Sequence, residues 1–381
     1  MTKTTRIAVI GGGLGGTVAA ILLQRAGYPV KVYEQAAGLA RVGAGINLDP
    51  HAMRIMRGLG IERELTRIGR ISETRYSREW DTGEITWDTP VSRYVELYGG
   101  NHFSIHRGDL QQVLGAQLAP DSVVLGKRLV DVEERGKVVH LSFADGETAE
   151  ANLVIGADGI NSRVRECLLG PERPTYMGRV AYRTVIPTER LRGLRPGDHV
   201  KWWGKDRSAL TYYLTRARTE LYFVASVPEP EWGASDYTHQ EADMTQLRAA
   251  LAGFHAEVQQ VLTACTSATR WAVLERDPLP LWSRGRIVML GDACHPMAHH
   301  MGQGAAMAFE DAVILVRCLA QVGPHEPETV FALYRQQRFE RTSRMQKESA
   351  RNNWLRHPMD PGWVFHYDAF TVPLMPLRST H

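Results

Sequence analysis

Three glycines close to the start of the chain have the spacing of a dinucleotide-binding turn. Gly11, Gly13 and Gly16 form the pattern G-x-G-x-x-G directly after the apolar run 7–10. In such a turn the first glycine permits a tight bend, the second lets a pyrophosphate approach the backbone, and the third lets a helix pack closely on a strand. Glu34 follows a second apolar run, near the spacing of a carboxylate that accepts a ribose hydroxyl. The pattern predicts that the chain binds an adenine dinucleotide.

Two later apolar runs also end in small residues and an aspartate. Residues 153–156 precede Asp158, and residues 286–290 precede Asp292. Residues 302–304, with the sequence Gly-Gln-Gly, then lead into a predicted helix. Ligands of open α/β sheets bind outside the carboxyl ends of the strands, so we expect the start of this helix to face those ends.

The elements that must hold these residues are alternating strands and helices. After the glycines we predict a helix over residues 18–26 and an amphipathic helix over residues 50–59. A further predicted strand ends near Arg107, and the helix that follows it has Asp109 as its predicted N-cap. Arg107 itself is either a ligand contact or a solvated charge. The alternation is typical of an α/β sheet.

The middle of the chain has a different pattern. Residues 72–90 alternate around a turn and predict a hairpin. Four predicted strands rich in Tyr, Trp, Val and Thr cover residues 181–186, 199–203, 210–215 and 221–227. These strands predict an antiparallel sheet, which is either a wall for a substrate or a structural insertion.

Composition narrows the class of protein. The chain has 381 residues, enough for two domains, and its net charge of +3 gives no bulk electrostatic case for nucleic-acid binding. Arg335, Arg338, Arg341 and Arg344 predict a solvated helix face rather than a nucleic-acid surface. Four widely spaced cysteines predict neither a zinc site nor a disulfide framework. Without a signal peptide or a long apolar run, we expect a cytoplasmic protein that does not bind membranes.

The three motifs together resemble those of a known family. The glycines of 11–16, the pair Asp158-Gly159 and the pair Gly291-Asp292 with Pro296 are similar to the motifs of the single-component FAD-dependent aromatic hydroxylases, which have the para-hydroxybenzoate hydroxylase fold. The resemblance implies an α/β fold with a Rossmann-type FAD-binding domain, an inserted antiparallel β-sheet substrate domain and C-terminal helices. The implied boundaries are 1–75, 100–175 and 276–320 for the first, 76–99 and 176–275 for the second, and 321–381 for the third.

The resemblance also implies the cofactors and their contacts. FAD would be the bound cofactor, and NADH or NADPH the reductant, bound transiently because the chain has no second G-x-G-x-x-G pattern. The cofactor-binding residues carried over are Gly11, Gly13, Leu14, Gly16, Glu34, Gln35, Arg41, Arg107, Asp158, Asp292, Gly302, Gly304 and Ala305. No metal is implied.

Several segments narrow the resemblance to one kind of member. Residues 201–203, 212–213, 278–286, 291–297 and 360–364 closely resemble a hydroxylase that also decarboxylates a hydroxypyridine carboxylate. The substrate-pocket residues that this match implies are His300 and Tyr212 as catalytic residues, and Asn47, Ser208 and His299 as substrate contacts. Asn47 and Ser208 stand where that relative has histidines, and the loss of two imidazoles makes the identity of the ring an open question.

The implied function is an FAD- and NAD(P)H-dependent monooxygenase of a hydroxylated aromatic or N-heteroaromatic carboxylate, with decarboxylation, through a flavin C4a-hydroperoxide. Its partners would be a small aromatic acid, O₂ and reduced nicotinamide, and the chain would be a monomer or homodimer. Three alternatives stay open. One is a salicylate- or hydroxybenzoate-type hydroxylase with a benzene-ring substrate, and another is an FAD oxidase or reductase that inserts no oxygen. The third, a non-enzymatic protein binding nucleic acid or membrane surfaces, is disfavoured by the near-neutral charge.

Overall fold

A computed structural model describes residues 4–38, 44–233 and 239–377. Within these ranges the strands in chain order are β1 Ile7–Ile10, β2 Val30–Tyr33, β3 Gly45–Leu48, β4 Arg70–Ile71, β5 Arg75–Glu79, β6 Ile85–Asp88, β7 Phe103–His106, β8 Val123–Val124, β9 Leu129–Arg135, β10 Val138–Phe143, β11 Thr148–Ala151, β12 Leu153–Gly156, β13 Thr175–Pro187, β14 His199–Trp203, β15 Ser208–Tyr213, β16 Glu220–Pro228, β17 Gln240–Glu241, β18 Thr269–Glu275, β19 Ser283–Arg284 and β20 Ile287–Met289. The helices are α1 Leu14–Arg25, α2 Pro50–Gly58, α3 Glu62–Ile68, α4 Tyr94–Tyr98, α5 Arg107–Gly115, α6 Arg163–Leu169, α7 Met244–Ala250, α8 Ala256–Ala264, α9 Gly304–Val322, α10 Pro327–Ala350 and α11 Gly362–Phe365.

The apolar runs of the sequence form one six-stranded sheet with the order β19-β20-β12-β1-β2-β8. All of its pairs are parallel except the edge pair of β19 with β20. Every residue of β1 and β12 is buried, as expected for strands covered on both faces. In this register the chain leaves β1, β12 and β20 at the same edge, which brings the three predicted motifs together.

The strands of the middle region form most of an eight-stranded sheet with the order β17-β18-β13-β16-β15-β14-β5-β6. The hairpin β5–β6 is confirmed, but it joins this sheet through a parallel pair of β5 with β14. The sheet is therefore mixed rather than purely antiparallel, because an earlier part of the chain supplies its edge. The α/β class with an added, mainly antiparallel sheet is confirmed, whereas the proposed domain boundaries stay a prediction.

Two local expectations were wrong. Helix α1 begins at Leu14, not at residue 18, because Gly15 and Gly16 belong to its first turn rather than to the loop. Asp109 does not cap α5, since the helix begins two residues earlier and the ring nitrogen Nδ1 of His106 accepts the hydrogen bond from the Gly108 backbone nitrogen at 3.0 Å. Helix α5 starts immediately after β7, and α1 starts after the turn 11–13 that follows β1, so the free backbone N–H groups of both helices lie near the strand ends.

The arginine stripe of α10 is also not the solvated face that was expected. Arg338 is fully buried, and its nitrogens lie 2.6 Å from Glu310 and 2.8 Å from Asp311, both on α9. Arg341 donates to the two carboxylate oxygens of Glu310 at 2.8 and 2.9 Å. Of the four arginines of the stripe, only Arg344 at its end is exposed. The charges of α10 therefore form a buried ionic layer with α9.

No helix within the described parts of the chain combines the length and the apolar character needed to cross a bilayer.

Candidate active site

A cavity of about 1120 Å³ lies at the carboxyl ends of β1, β12 and β20. Its volume exceeds the roughly 300–1,000 Å³ of pockets that hold drug-sized ligands, so it can take a larger, elongated ligand. The predicted cofactor contacts that line it are Gly11, Gly13, Leu14, Glu34, Gln35, Arg107, Asp158, Asp292, Gly302, Gly304 and Ala305. The structure thus brings together residues that the sequence separates by almost three hundred positions.

The glycine turn has the shape that a pyrophosphate requires. Gly11 has a φ of 100°, and a Cβ there would clash with the carbonyl of Ala157. A Cβ on Gly16 would clash with the carbonyl of Gly11, so this glycine serves the packing of α1 on β1 and does not line the cavity. At Gly13 a Cβ would meet nothing within 4 Å, which leaves the backbone open to a ligand. These residues fit FAD.

The carboxylate of Glu34 holds the glycine turn in place. One of its oxygens accepts a hydrogen bond from the backbone nitrogen of Gly12 at 2.7 Å, and the other from Ala36 at 2.8 Å. A carboxylate offers about four acceptor positions, so a ribose hydroxyl could still be bound there. Gln35 beside it lines the cavity, whereas the predicted contact Arg41 lies outside the described residues.

Asp158 has a structural partner as well as a place in the cavity. Its oxygens accept hydrogen bonds from the Ser162 hydroxyl at 2.5 Å and from the Val164 backbone nitrogen at 3.0 Å, at the start of α6. Burial raises the pKa of this carboxyl, although the hydrogen bonds oppose the shift. Asp158 therefore fixes the loop after β12, and its contact with the cofactor stays a prediction.

Asp292 lies in a turn whose conformation is fixed by the buried carboxylate of Asp311. The carboxylate of Asp311 accepts a hydrogen bond from the Gly291 backbone nitrogen at 3.0 Å and lies 2.5 Å from His295 Nε2. Desolvation by the surrounding protein raises the pKa of Asp292, and the nearby charges of His295 and Arg107 oppose this rise only in part. The start of α9 follows, with Gly302, Gly304 and Ala305 on the cavity wall. A helix N-terminus here favours negative charge on a bound ligand.

A second, smaller cavity of about 190 Å³ adjoins the first. The two cavities are adjacent, because five residues line both of them: Gly45, Ile46, Arg183, His299 and Gly302. The remaining residues of the smaller cavity are Asn47, Arg75, His199, Lys201, Leu210, Tyr212, Tyr222, Val224, His300, Met301 and Trp354. Most of these come from one face of the eight-stranded sheet, because side chains on a strand alternate between its faces.

Tyr212 and Asn47 lie in the small cavity as predicted, and both contact a histidine that the sequence did not single out. The ring of His199 stacks on Tyr212 with centroids 5.5 Å apart. The side-chain amide of Asn47 donates to His199 Nε2 at 3.4 Å and accepts from the Ser104 hydroxyl at 2.7 Å. Burial raises the pKa of Tyr212 well above 10 and lowers that of His199 well below 6.5, so both are uncharged at neutral pH.

His300 is held by two hydrogen bonds. Its Nδ1 lies 3.1 Å from the carbonyl oxygen of Ser349, which can only accept, so this nitrogen carries the proton. Its Nε2 is then an acceptor, 3.4 Å from the hydroxyl of Ser226. Burial lowers the pKa of His300 to about 4, and burial likewise lowers that of the adjacent His299 well below 6.5.

Ser208 is the predicted substrate contact that the cavity does not include. It is buried in β15, on the same face as Leu210 and Tyr212 but opposite Trp203, one pair beyond the cavity. The lining of the cavity therefore does not support the prediction that Ser208 contacts the substrate.

The sequence did not lead us to the basic residues that line the small cavity. Arg75, Arg183 and Lys201 line the small cavity, and none of its described lining residues is Asp or Glu. The alternation of β14 was the available signal, since it places Lys201 on the same face as His199. That signal was incomplete because the sequence does not reveal which face of the sheet is turned to the cofactor. Arg75 is paired with Asp49, but neither Arg183 nor Lys201 forms an ion pair with a carboxylate among the described residues, so this lining favours an anionic ligand.

Comparisons with known proteins agree with this geometry. A model of the family described as FAD binding domain matches residues 4–349. The chain is 50% identical over 379 residues to 6-hydroxynicotinate 3-monooxygenase of Pseudomonas fluorescens, with 98% of each chain covered. It is similar to the structure of Klebsiella pneumoniae HpxO complexed with FAD and uric acid, with 27% identity, a TM-score of 0.83 and coverage of 95% of this chain and 91% of that one. A salicylate hydroxylase substrate complex is similar too, with 27% identity, a TM-score of 0.81 and 96% of each chain covered. These similarities confirm the resemblance inferred from the motifs and its narrower form.

Proposed function

The chain belongs to the family described as FAD binding domain and is a flavin-dependent aromatic monooxygenase, and from this premise we propose that its substrate is a small hydroxylated aromatic or N-heteroaromatic carboxylate. FAD is its cofactor, with NADH or NADPH as the reductant. When bound and reduced, the flavin supplies the activation of O₂ that hydroxylates the ring. In this proposal Gly11, Gly13 and the start of α1 hold the FAD pyrophosphate, and Arg107 and Asp292 contact the rest of the cofactor.

The observation that carries the substrate class is the small cavity. Its volume of about 190 Å³ suits a single ring, being well below the roughly 300–1,000 Å³ typical of drug-sized ligands. It adjoins the cofactor cavity, and its described lining contains three basic side chains and no acidic one. A small ring with a carboxylate satisfies both the size and the charge.

Two uncharged residues would orient the hydroxylated part of the ring. His300 has Nε2 as a hydrogen-bond acceptor, so in place of the Ser226 hydroxyl it could accept a hydrogen bond from a ring hydroxyl and increase the electron density of the ring. Tyr212 remains a protonated phenol and can donate to a ring substituent. Tyr212 is buried and His300 is half-buried, so both would limit the access of water to the reacting ring.

We further propose that hydroxylation is decarboxylative. One atom of O₂ would form the new C–O bond at the carbon that carries the carboxylate, and the other would leave as water. The reduced nicotinamide supplies two electrons, and the carboxylate leaves as CO₂ with the ring regaining its aromaticity. Support comes from the basic wall, which would hold a carboxylate inside the cavity.

A benzene-ring substrate is the second candidate. Asn47 lines the cavity with a neutral amide where the hydroxypyridine-carboxylate relative has an imidazole, so one acid–base group for a ring nitrogen is absent. Salicylate or a hydroxybenzoate would need no such group.

The test is a panel of aromatic acids that includes 6-hydroxynicotinate, salicylate and 3-hydroxybenzoate, each with NADH and with NADPH. We expect at least one acid to stimulate nicotinamide oxidation and to give a product that contains one atom of ¹⁸O from labelled O₂. Loss of 44 mass units with the gain of one oxygen would show decarboxylation. Nicotinamide oxidation with peroxide as the sole oxygen product for every acid would instead identify an oxidase.

A further inference from the structure

One cation in the small cavity has no acidic partner. Lys201 lies on β14, where its ammonium nitrogen is 3.6 Å from the centroid of the Trp203 ring. The same nitrogen donates to the side-chain oxygen of Asn352 at 3.3 Å. Among the described residues no carboxylate forms an ion pair with Lys201, and every charge that acts on it is positive.

The groups around Lys201 come from several elements. Arg75 on β5 is paired with Asp49 at 3.3 Å, Arg179 lies on β13, and Arg356 follows α10. Burial is the main cause, and these three cations the further causes, that lower the pKa of Lys201 to about 7. His300 also lies on the cavity wall, but as a neutral ring. These surroundings therefore favour the uncharged amine.

We propose that Lys201 recognises the carboxylate of the substrate and takes up one proton from solvent when the aromatic acid binds. An opposite charge within about 4–6 Å favours the charged form of an amine, so the carboxylate replaces the missing counter-ion. The uncharged amine gains H⁺ and becomes an ammonium paired with the carboxylate, and no other bond changes. This inference rests on the proposed function.

The other basic residues of the cavity cannot take this role. Guanidinium groups keep their proton in proteins, so Arg75 and Arg183 cannot take one up. Arg75 is already paired with Asp49. Arg183 lies 5.3 Å over the Trp271 ring at the junction with the cofactor cavity. The cavity histidines titrate only in more acidic solution, since burial lowers their pKa values below 6.5.

Calorimetry of the oxidised, FAD-loaded protein tests the proposal without turnover. Salicylate and 6-hydroxynicotinate are titrated in buffers of different ionisation enthalpy at pH 8.5 and at pH 6.0. We expect uptake close to one proton per bound acid at pH 8.5 and little uptake at pH 6.0. Lys201→Gln should abolish the uptake at pH 8.5 and weaken acid binding roughly 10- to 100-fold, the range for loss of a hydrogen bond to a charged group. Lys201→Arg should retain binding with no uptake.

Phenol and 2-hydroxypyridine, which lack the carboxylate, are the matched ligands and should bind without proton uptake. Unchanged uptake in Lys201→Gln with intact flavin absorbance would overturn the proposal, and so would tight acid binding without uptake at pH 8.5. If no acid binds while phenol binds and is hydroxylated, the carboxylate substrate class fails together with the role of Lys201. If the acids bind as expected but no oxygen is inserted into any of them, only the proposed function fails.

Discussion

His300 is a neutral imidazole whose orientation the backbone decides. Because its Nδ1 proton is committed to the carbonyl of Ser349, Nε2 is an acceptor, and the hydroxyl of Ser226 is its donor in the structure, so a substrate hydroxyl would have to replace that donor. A residue fixed in this way can accept a hydrogen bond from a substrate hydroxyl without first losing a proton.

Replacing His300 by alanine should therefore lower substrate-dependent turnover by roughly 10²–10⁴-fold, the usual cost of losing one general base. FAD should remain bound, since His300 does not line the cofactor cavity. Steady-state kinetics and the flavin absorbance of the purified variant measure the two effects. Turnover equal to wild type with an authentic substrate would show that His300 is a structural residue.

Asn47 and Ser208 form a matched pair for a test of ring specificity. The resemblance implies a histidine at both positions in the hydroxypyridine-carboxylate relative, but only Asn47 lines the small cavity. Asn47→His should shift the preference toward 6-hydroxynicotinate, measured as the ratio of kcat/KM values against salicylate. Ser208→His should change that ratio little and should lower stability, because its site is buried. A larger shift from Ser208→His than from Asn47→His would contradict the placement of these residues.

At the scale of single elements, different glycines of the turn serve the stability of the fold and the binding of the cofactor. Gly16→Ala would force a methyl group onto the carbonyl of Gly11, and overpacking of this kind costs roughly 1–3 kcal/mol. Gly13→Ala meets no protein atom within 4 Å, so it should leave stability unchanged and obstruct the ligand instead. Urea unfolding of the apoproteins and FAD titration measure the two quantities. Equal loss of stability in both variants would count against this division.

The ionic layer between α9 and α10 predicts a large effect on stability. Arg338→Ala removes a cation that the buried Glu310 and Asp311 both contact, and breaking a buried pair in this way costs roughly 3–5 kcal/mol. Because Asp311 also binds the backbone of Gly291, FAD affinity should fall as well. The control is Arg351→Ala at the exposed position directly after the same helix, where the cost should stay below about 1 kcal/mol. Urea unfolding compares the two.

Some structural features could be predicted from the sequence and others could not, and the difference has physical reasons. Strands β1, β12 and β20 could be predicted because burial on both faces gives uninterrupted apolar runs, and glycines and acids directly after them carry the chemistry. The burial of Arg338 could not be predicted, since its partners lie on another helix and local periodicity does not report them. The same limit applies to Lys201, whose surroundings depend on the pairing of strands far apart in sequence.

For the molecule as a whole, buried neutral histidines should make the fold sensitive to mild acid. Burial lowers the pKa of His51 and of His300 to about 4, and it also lowers the pKa values of His102, His199 and His299. The unfolded chain has ordinary histidines with a pKa near 6.5. Between these values only the unfolded state binds the protons, so the stability that is present above pH 6.5 is lost as the pH falls toward about 4.

We therefore expect the free energy of unfolding, measured in urea with excess FAD, to fall between pH 7 and pH 5. Each histidine that stays neutral in the fold contributes a slope of up to about 1.4 kcal/mol per pH unit. His51→Gln should reduce this slope, and the same change at the exposed His325 should not. A free energy that does not vary over this range would contradict the assignment of neutral rings.

The alternation of β14 has a consequence for how such an enzyme can acquire a new substrate. Val200 and Trp202 belong to the apolar core on one face of the strand, whereas His199 and Lys201 belong to the cavity on the other. Replacing a residue on the cavity face changes the shape of the ligand cavity and leaves no sealed void in the core. Such a replacement should therefore lower the stability of the fold only slightly. Substitutions at every second position can then change which aromatic ring the cavity binds, while the residues at the intervening positions preserve the apolar core. A laboratory library confined to the cavity-facing positions of this sheet would use the same separation.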